Sequence, residues 1–90
     1  LLHRGGMLLG RLAREQGLRD LAEAAYRIAA QARPDLGSGH VALAGLLADR
    51  GAFREALAHL KVGLEQDPFL SEGWVPYARL LLQVGEEVEA

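Results

Sequence analysis

The sequence predicts an all-α fold built as a repeat array, on three observations. Gly17, Gly51 and Gly85 stand 34 residues apart, and so do Pro34 and Pro68. Between them, apolar residues recur with helical periodicity. Leu and Ala dominate, with Gln, Glu and Arg interspersed, which is the composition of packed helices. A fixed interval of this length marks copies of one supersecondary unit, and stacking the copies builds a core that no single copy could bury.

In register, the chain divides into residues 3–36, residues 37–70 and an incomplete third copy, residues 71–90. Helices are expected over about 5–16, 20–32, 39–50, 54–66 and 73–84. Gly17, Gly51 and Gly85 each close a first helix as a left-handed C-cap. Pro34 and Pro68 stand just past the second helices, where a helix cannot continue. Ser38 and Ser71 are expected as N-caps. Gly10, Ala44 and Ala78 on the first helices and Ala22, Ala56 and Ala90 on the second are small enough to let antiparallel helices approach, with Leu9, Leu43 and Tyr77 filling the space beside them. Two residues depart from the pattern. Gly63 replaces the Ala29 of the preceding copy, a loss of about 1 kcal/mol in helix propensity. Pro76 implies either a helix that begins nearer Trp74 or a kink.

These positions resemble the tetratricopeptide repeat (TPR) family, whose pattern runs from an aromatic through Leu and a small residue to a later Ala, aromatic and Pro. The second copy carries it as His40, Leu43, Ala44, Leu47, Gly51, Ala56, Leu60 and Pro68, and "GAFREALAHLKVGLEQDP" is its most specific stretch. The third copy begins with Trp74, Tyr77, Ala78 and Leu81; the first is weak at Gly6, Leu9, Gly10 and Ala13 and recovers at Ala22, Tyr26, Ala29 and Pro34. The resemblance covers nearly the whole chain. It implies antiparallel helix hairpins stacked as a right-handed TPR superhelix of about two and a half repeats.

Composition narrows the function. A formal net charge of −2 is too small to make nucleic acid or an anionic membrane the main partner. No apolar run is long enough to span a bilayer. The absence of cysteine excludes disulfides, CxxC redox chemistry and thiolate metal sites, and says nothing of compartment. His3, His40 and His59 are far apart and have no neighbour at metal-ligand spacing. His40 reads as a packing imidazole and His59 as a surface residue. Neither Ser38 nor Ser71 sits in a GxSxG elbow, and no GK[ST] follows the paired glycines. No catalytic group, cofactor or metal site is expected. The run Glu86, Glu87, Glu89 is read as N-terminal charge on a further helix.

In TPR arrays the first helices line a concave groove. The resemblance places Arg4, Met7, Leu8, Arg11 and Arg14 on one wall. Val41, Ala42, Gly45, Ala48 and Asp49 form the middle, and Glu72, Val75, Arg79, Leu82 and Gln83 the third wall. Met7, Arg11, Arg14, Val41, Gly45, Ala48, Asp49, Val75, Arg79 and Leu82 are the residues expected to bind a partner. The small middle leaves room for bulky ligand side chains, Met7, Val41, Val75 and Leu82 offer apolar contact, and Arg11, Arg14 and Arg79 offer donors to carboxylates. The family's carboxylate-clamp places hold Met7, Arg11, Ala42, Glu72 and Pro76, of which only Arg11 could serve, so capture of an Hsp70 or Hsp90 tail is not expected.

The reading is a non-enzymatic protein-interaction module that holds a peptide or helix of a partner. Its alternatives are a self-association element of a larger TPR protein and a regulatory domain of an enzyme whose catalytic part lies elsewhere. The incomplete third copy points to a piece of a longer array. Copies one, two and three carry formal charges of +2, −1 and −3 from their Arg, Lys, Asp and Glu. Trp74, Leu80, Leu81 and Val84 are expected to leave apolar area open at the C-terminal end, through which a homo-oligomer could form.

Overall fold

The structure, a computed structural model, describes residues 2–89, with side chains described through residue 85. Five α-helices follow one another: α1 (Leu2–Glu15), α2 (Arg19–Ala32), α3 (Ser38–Asp49), α4 (Phe53–Gln66) and α5 (Ser71–Glu89), with a 3-10 turn at Pro34–Leu36 before α3. Each helix packs mainly on its neighbours in sequence, α1 on α2, α2 on α3, α3 on α4 and α4 on α5. Among the described residues there is no strand.

The 34-residue period reappears in the backbone hydrogen bonds. Leu18 N–H donates to Ala13 O at 2.8 Å and Ala52 N–H to Leu47 O at 2.9 Å, the six-to-one closure of a glycine C-cap. Gly17 and Gly51 supply the left-handed residue between, with φ of 77° and 87°. Arg33 N–H to Ala29 O is matched by Asp67 N–H to Gly63 O, and Leu36 N–H to Arg33 O by Leu70 N–H to Asp67 O. Pro34 and Pro68 lie in the turns so formed.

The core runs through the stack. Ala13, Ala22, Tyr26, Leu43, Ala44, Leu46, Leu47, Ala56, Leu60 and Leu80 form one buried cluster. The small residues do what their size implies. A Cβ built at Gly10 would clash with Cδ1 and Cε1 of the Tyr26 ring, and one at Gly6 would stand 2.7 Å from Ala25 O.

Several expectations are corrected. Gly85 is helical, without positive φ, and α5 runs on through Glu89. Gly17 and Gly51 each precede a second helix that buries against the first, whereas the residues after Gly85 continue α5 itself. Glu86, Glu87 and Glu89 therefore stand at the C-terminal end of α5, not at the start of a further helix. Ser38 is the first residue of α3 after left-handed Gly37 and makes no cap bond; Ser71 likewise opens α5. Pro76 lies inside α5, which begins at Ser71 and not near Trp74. Leu9 is exposed where its counterpart Leu43 is buried, since α2 covers Leu43 and no described element covers that side of α1. Leu80 is buried in the core, and Ala78 is exposed. Ala90 lies outside the described residues.

Candidate functional site

The first helices α1, α3 and α5 converge on a groove of about 440 Å3. Its floor is made of Ala42, Ala44, Gly45 and Ala48 from α3, with Val41 beside them and Leu60 and Leu80 beneath. Small residues at this stretch of α3 lower the floor by the depth of the side chains they lack. Gly45 marks the opening, because a Cβ there would meet only an Arg14 guanidinium nitrogen at 3.7 Å.

Charge is confined to the rim, which Arg14, Asp49, Glu72 and Arg79 provide. Arg14 donates to Asp49 at 3.2 Å, a half-exposed ion pair bridging α1 and α3. Arg79 and Glu72 make no ion pair among the described residues. Pro76 also lines the groove, and it lacks the N–H that would bond the Glu72 carbonyl.

A second cleft, of about 350 Å3, opens beside the first and is lined by His3, Arg4, Met7, Leu8, Arg11, Tyr26 and Ser38. Its base is fixed by His3. The carbonyl of Ala29 can only accept, so His3 Nδ1 carries the proton it donates there at 3.2 Å, which in the neutral ring leaves Nε2 to accept from Ser38 Oγ at 3.2 Å. One imidazole thus ties the start of α1 to the end of α2 and the start of α3.

The structure brings Arg14, Val41, Gly45, Ala48, Asp49 and Arg79 into the groove. Met7 and Arg11 line the neighbouring cleft. Val75 and Leu82 line neither; they are 60% and 70% exposed on α5.

One pairing escaped the sequence. His40 and His59 meet between α3 and α4, Nδ1 to Nδ1 at 3.0 Å with ring centroids 5.3 Å apart. The centroid separation exceeds the nitrogen distance by roughly one ring width, so the two Nδ1 atoms face each other along the line of centres and one must donate to the other. Burial first, and the His59 charge second, push the His40 pKa below its ordinary value; burial does the same to His59, with Arg27 adding to the effect and Glu55 opposing it. The repeat register held the signal, since 34 residues earlier the same places are Gly6 and Ala25, which touch in the first hairpin.

No family model matches the chain, and no curated protein matches it. Among solved structures, it is similar to the TPR2B domain of yeast Sti1 in its complex with pHsp70, with a TM-score of 0.87 and 23% identity, covering 98% of this chain and 70% of that one.

The chain has the tetratricopeptide repeat fold.

Its helix pairs α1/α2 and α3/α4, followed by α5, are the hairpins and half-hairpin of a right-handed TPR superhelix, and the groove lies on the side of the TPR first helices. Of the residues that the resemblance sets at carboxylate-clamp places, Ala42, Glu72 and Pro76 line the groove while Met7 and Arg11 line the adjoining cleft. Among the described residues no three of His, Cys, Asp and Glu gather to hold a metal, and no helix is long and apolar enough to cross a membrane.

Proposed function

We propose that this chain is a protein-interaction module that seats an internal segment of a partner protein in the groove over α3, without chemistry of its own. The observation that carries the reading is the floor of Ala42, Gly45 and Ala48 with Arg79 on the rim. A bulky apolar side chain fills the depth over Gly45, and a flanking carboxylate meets the Arg79 guanidinium, which has five N–H donors to offer. Arg14 contributes less, because Asp49 already engages it. Arg11 and Met7 extend the contact from the second cleft.

The solved complex of the Sti1 TPR2B domain with pHsp70 supports peptide binding as a use of this fold. A partner's free C-terminal carboxylate suits this groove poorly, since Glu72 stands in it at a clamp place and repels an anion. The favoured ligand is an internal amphipathic segment whose carboxylate reaches Arg79, about two helical turns from Glu72, with apolar residues over the rest of the groove.

Selection from a random-sequence peptide library displayed on phage tests the proposal. Enriched sequences are expected to pair a bulky apolar residue with Asp or Glu, and Arg79→Glu is expected to weaken their binding. Enrichment of basic sequences, or binding indifferent to Arg79→Glu in a folded variant, would overturn it.

A further inference from the structure

The second cleft holds two arginines that no acid neutralises. Arg4 and Arg11 lie on one face of α1, about 10.5 Å apart along its axis, with Met7 between them. Neither makes an ion pair among the described residues, and no Asp or Glu lines the cleft. Asp35, on the turn before α3, is already held by Arg33 at 3.0 and 2.9 Å. Ser38, the first residue of α3, brings the positive end of that helix to the cleft. Tyr26 points to a ligand independently of these charges. It is only 4% exposed and lines the same cleft. Its hydroxyl makes no hydrogen bond among the described residues, yet it is not one of their sealed, partnerless polar atoms, so it opens into the cleft. Packing of the Tyr26 ring on Gly10 fixes where that free donor stands.

We infer that this cleft is a binding site for a phosphate monoester, with Arg4 and Arg11 as charged donors and the Tyr26 hydroxyl as a neutral one. The inference does not rest on the groove reading. Charge selects the ligand class. Two uncompensated guanidiniums match the roughly −1.5 to −2 charge of a phosphate monoester near neutral pH, whereas a carboxylate would leave one of them unmatched. Shape agrees, since donors from two turns of α1 and from α2 suit three terminal oxygens in a tetrahedral array better than two coplanar ones. Met7 and Leu8 give the group that carries the ester an apolar wall. Ser38 Oγ has its proton committed to His3 and adds no donor. Of the three donors only Arg11 stands at a place that the resemblance assigns to the carboxylate clamp; Arg4 and Tyr26 do not.

NMR titration of the chain's backbone amides tests this with two probes, a blocked phosphoserine amide for a phosphorylated side chain and glycerol phosphate for a free small molecule. At least one is expected to bind with a Kd below about 1 mM and to shift the amides of Arg4, Met7 and Ser38, and the tighter probe names the source. A blocked aspartate amide should bind at least about tenfold more weakly than that probe. An Arg4→Gln, Arg11→Gln double variant should weaken binding of the phosphate ester at least about tenfold. Tyr26→Phe should weaken it about threefold, with unchanged circular dichroism, because the ring remains and the lost hydroxyl has no partner in the fold. Arg19→Gln, at an exposed arginine outside the cleft, removes a positive charge and should bind as the parent does. No binding of either ester at about 10 mM, equal affinity for the aspartate amide, indifference to the double variant, or an equal loss in Arg19→Gln would overturn the inference.

Discussion

His40 and His59 share one proton along a 3.0 Å Nδ1 to Nδ1 line between α3 and α4. The arrangement holds only while at least one ring is neutral, because two imidazolium rings would turn N–H against N–H.

Acid should therefore loosen the second hairpin. Both histidines are pushed below the ordinary value of 6.5, chiefly by burial, with Arg27 facing His59 from α2 and Glu55 from α4. A lowered folded pKa means the unfolded chain takes up protons first as pH falls. The stabilisation is thus complete above about 6.5 and is lost as pH drops through the folded values. Urea midpoints at neutral pH and near pH 5 should show the fall, and a His40→Phe, His59→Leu double variant should flatten it. A parent midpoint independent of pH over that window would count against the pairing.

Two glycine substitutions should move stability in opposite directions. Gly63→Ala gains helix propensity but places a Cβ 2.9 Å from Gly37 O and 3.2 Å from His40 Cβ, a conflict in the core that costs about 1–3 kcal/mol. Gly45→Ala meets nothing nearer than 3.7 Å, so it should gain up to about 1 kcal/mol. Denaturant unfolding of the two variants decides both signs.

That contrast also marks how far the residues could be read before folding. The 34-residue period located the helices, because Gly17, Gly51, Pro34 and Pro68 act through local backbone geometry. Gly63 does cost helix propensity, but the role that offsets the cost is relational and not visible in one copy: copy one sets Gly6 against Ala29, and copy two sets His40 against Gly63, so a larger residue on one helix is matched by a smaller one on the other. Groove residues on α3 were legible, as Val41, Gly45 and Ala48 share one helical face. Val75 and Leu82 were placed in the groove by repeat position, yet they lie outside the groove lining, on the exposed side of α5.

The tie made by His3 predicts a further effect. Ser38→Ala removes the hydroxyl that donates to His3 Nε2 and should cost about 0.5–1.5 kcal/mol. If the hydroxyl acts through His3 and not as a helix cap, Ser38→Ala should cost much less in a His3→Ala background. A double-mutant cycle reads the coupling directly, and additive losses would contradict the contact.

The convex side should be more tolerant. Glu23 accepts from Arg27 at 2.9 Å and from Arg50 at 3.2 Å, and Arg27 reaches Glu55 at 3.0 Å. Arg27 and Arg50 are substantially exposed, so Arg27→Ala should cost no more than about 1 kcal/mol, and less in high salt. A large, salt-independent loss by thermal unfolding would show a packing role for the Arg27 stem instead.

The proposed function requires that the depth over Gly45 receive a partner's side chain. The most direct measurement is the affinity of a library-selected peptide for the parent and for Gly45→Leu, by fluorescence polarisation. The leucine fills the groove without entering the core, so circular dichroism should be unchanged while binding falls at least about tenfold, or 1.4 kcal/mol. Equal affinity for both proteins, with the fold intact, would contradict the claim.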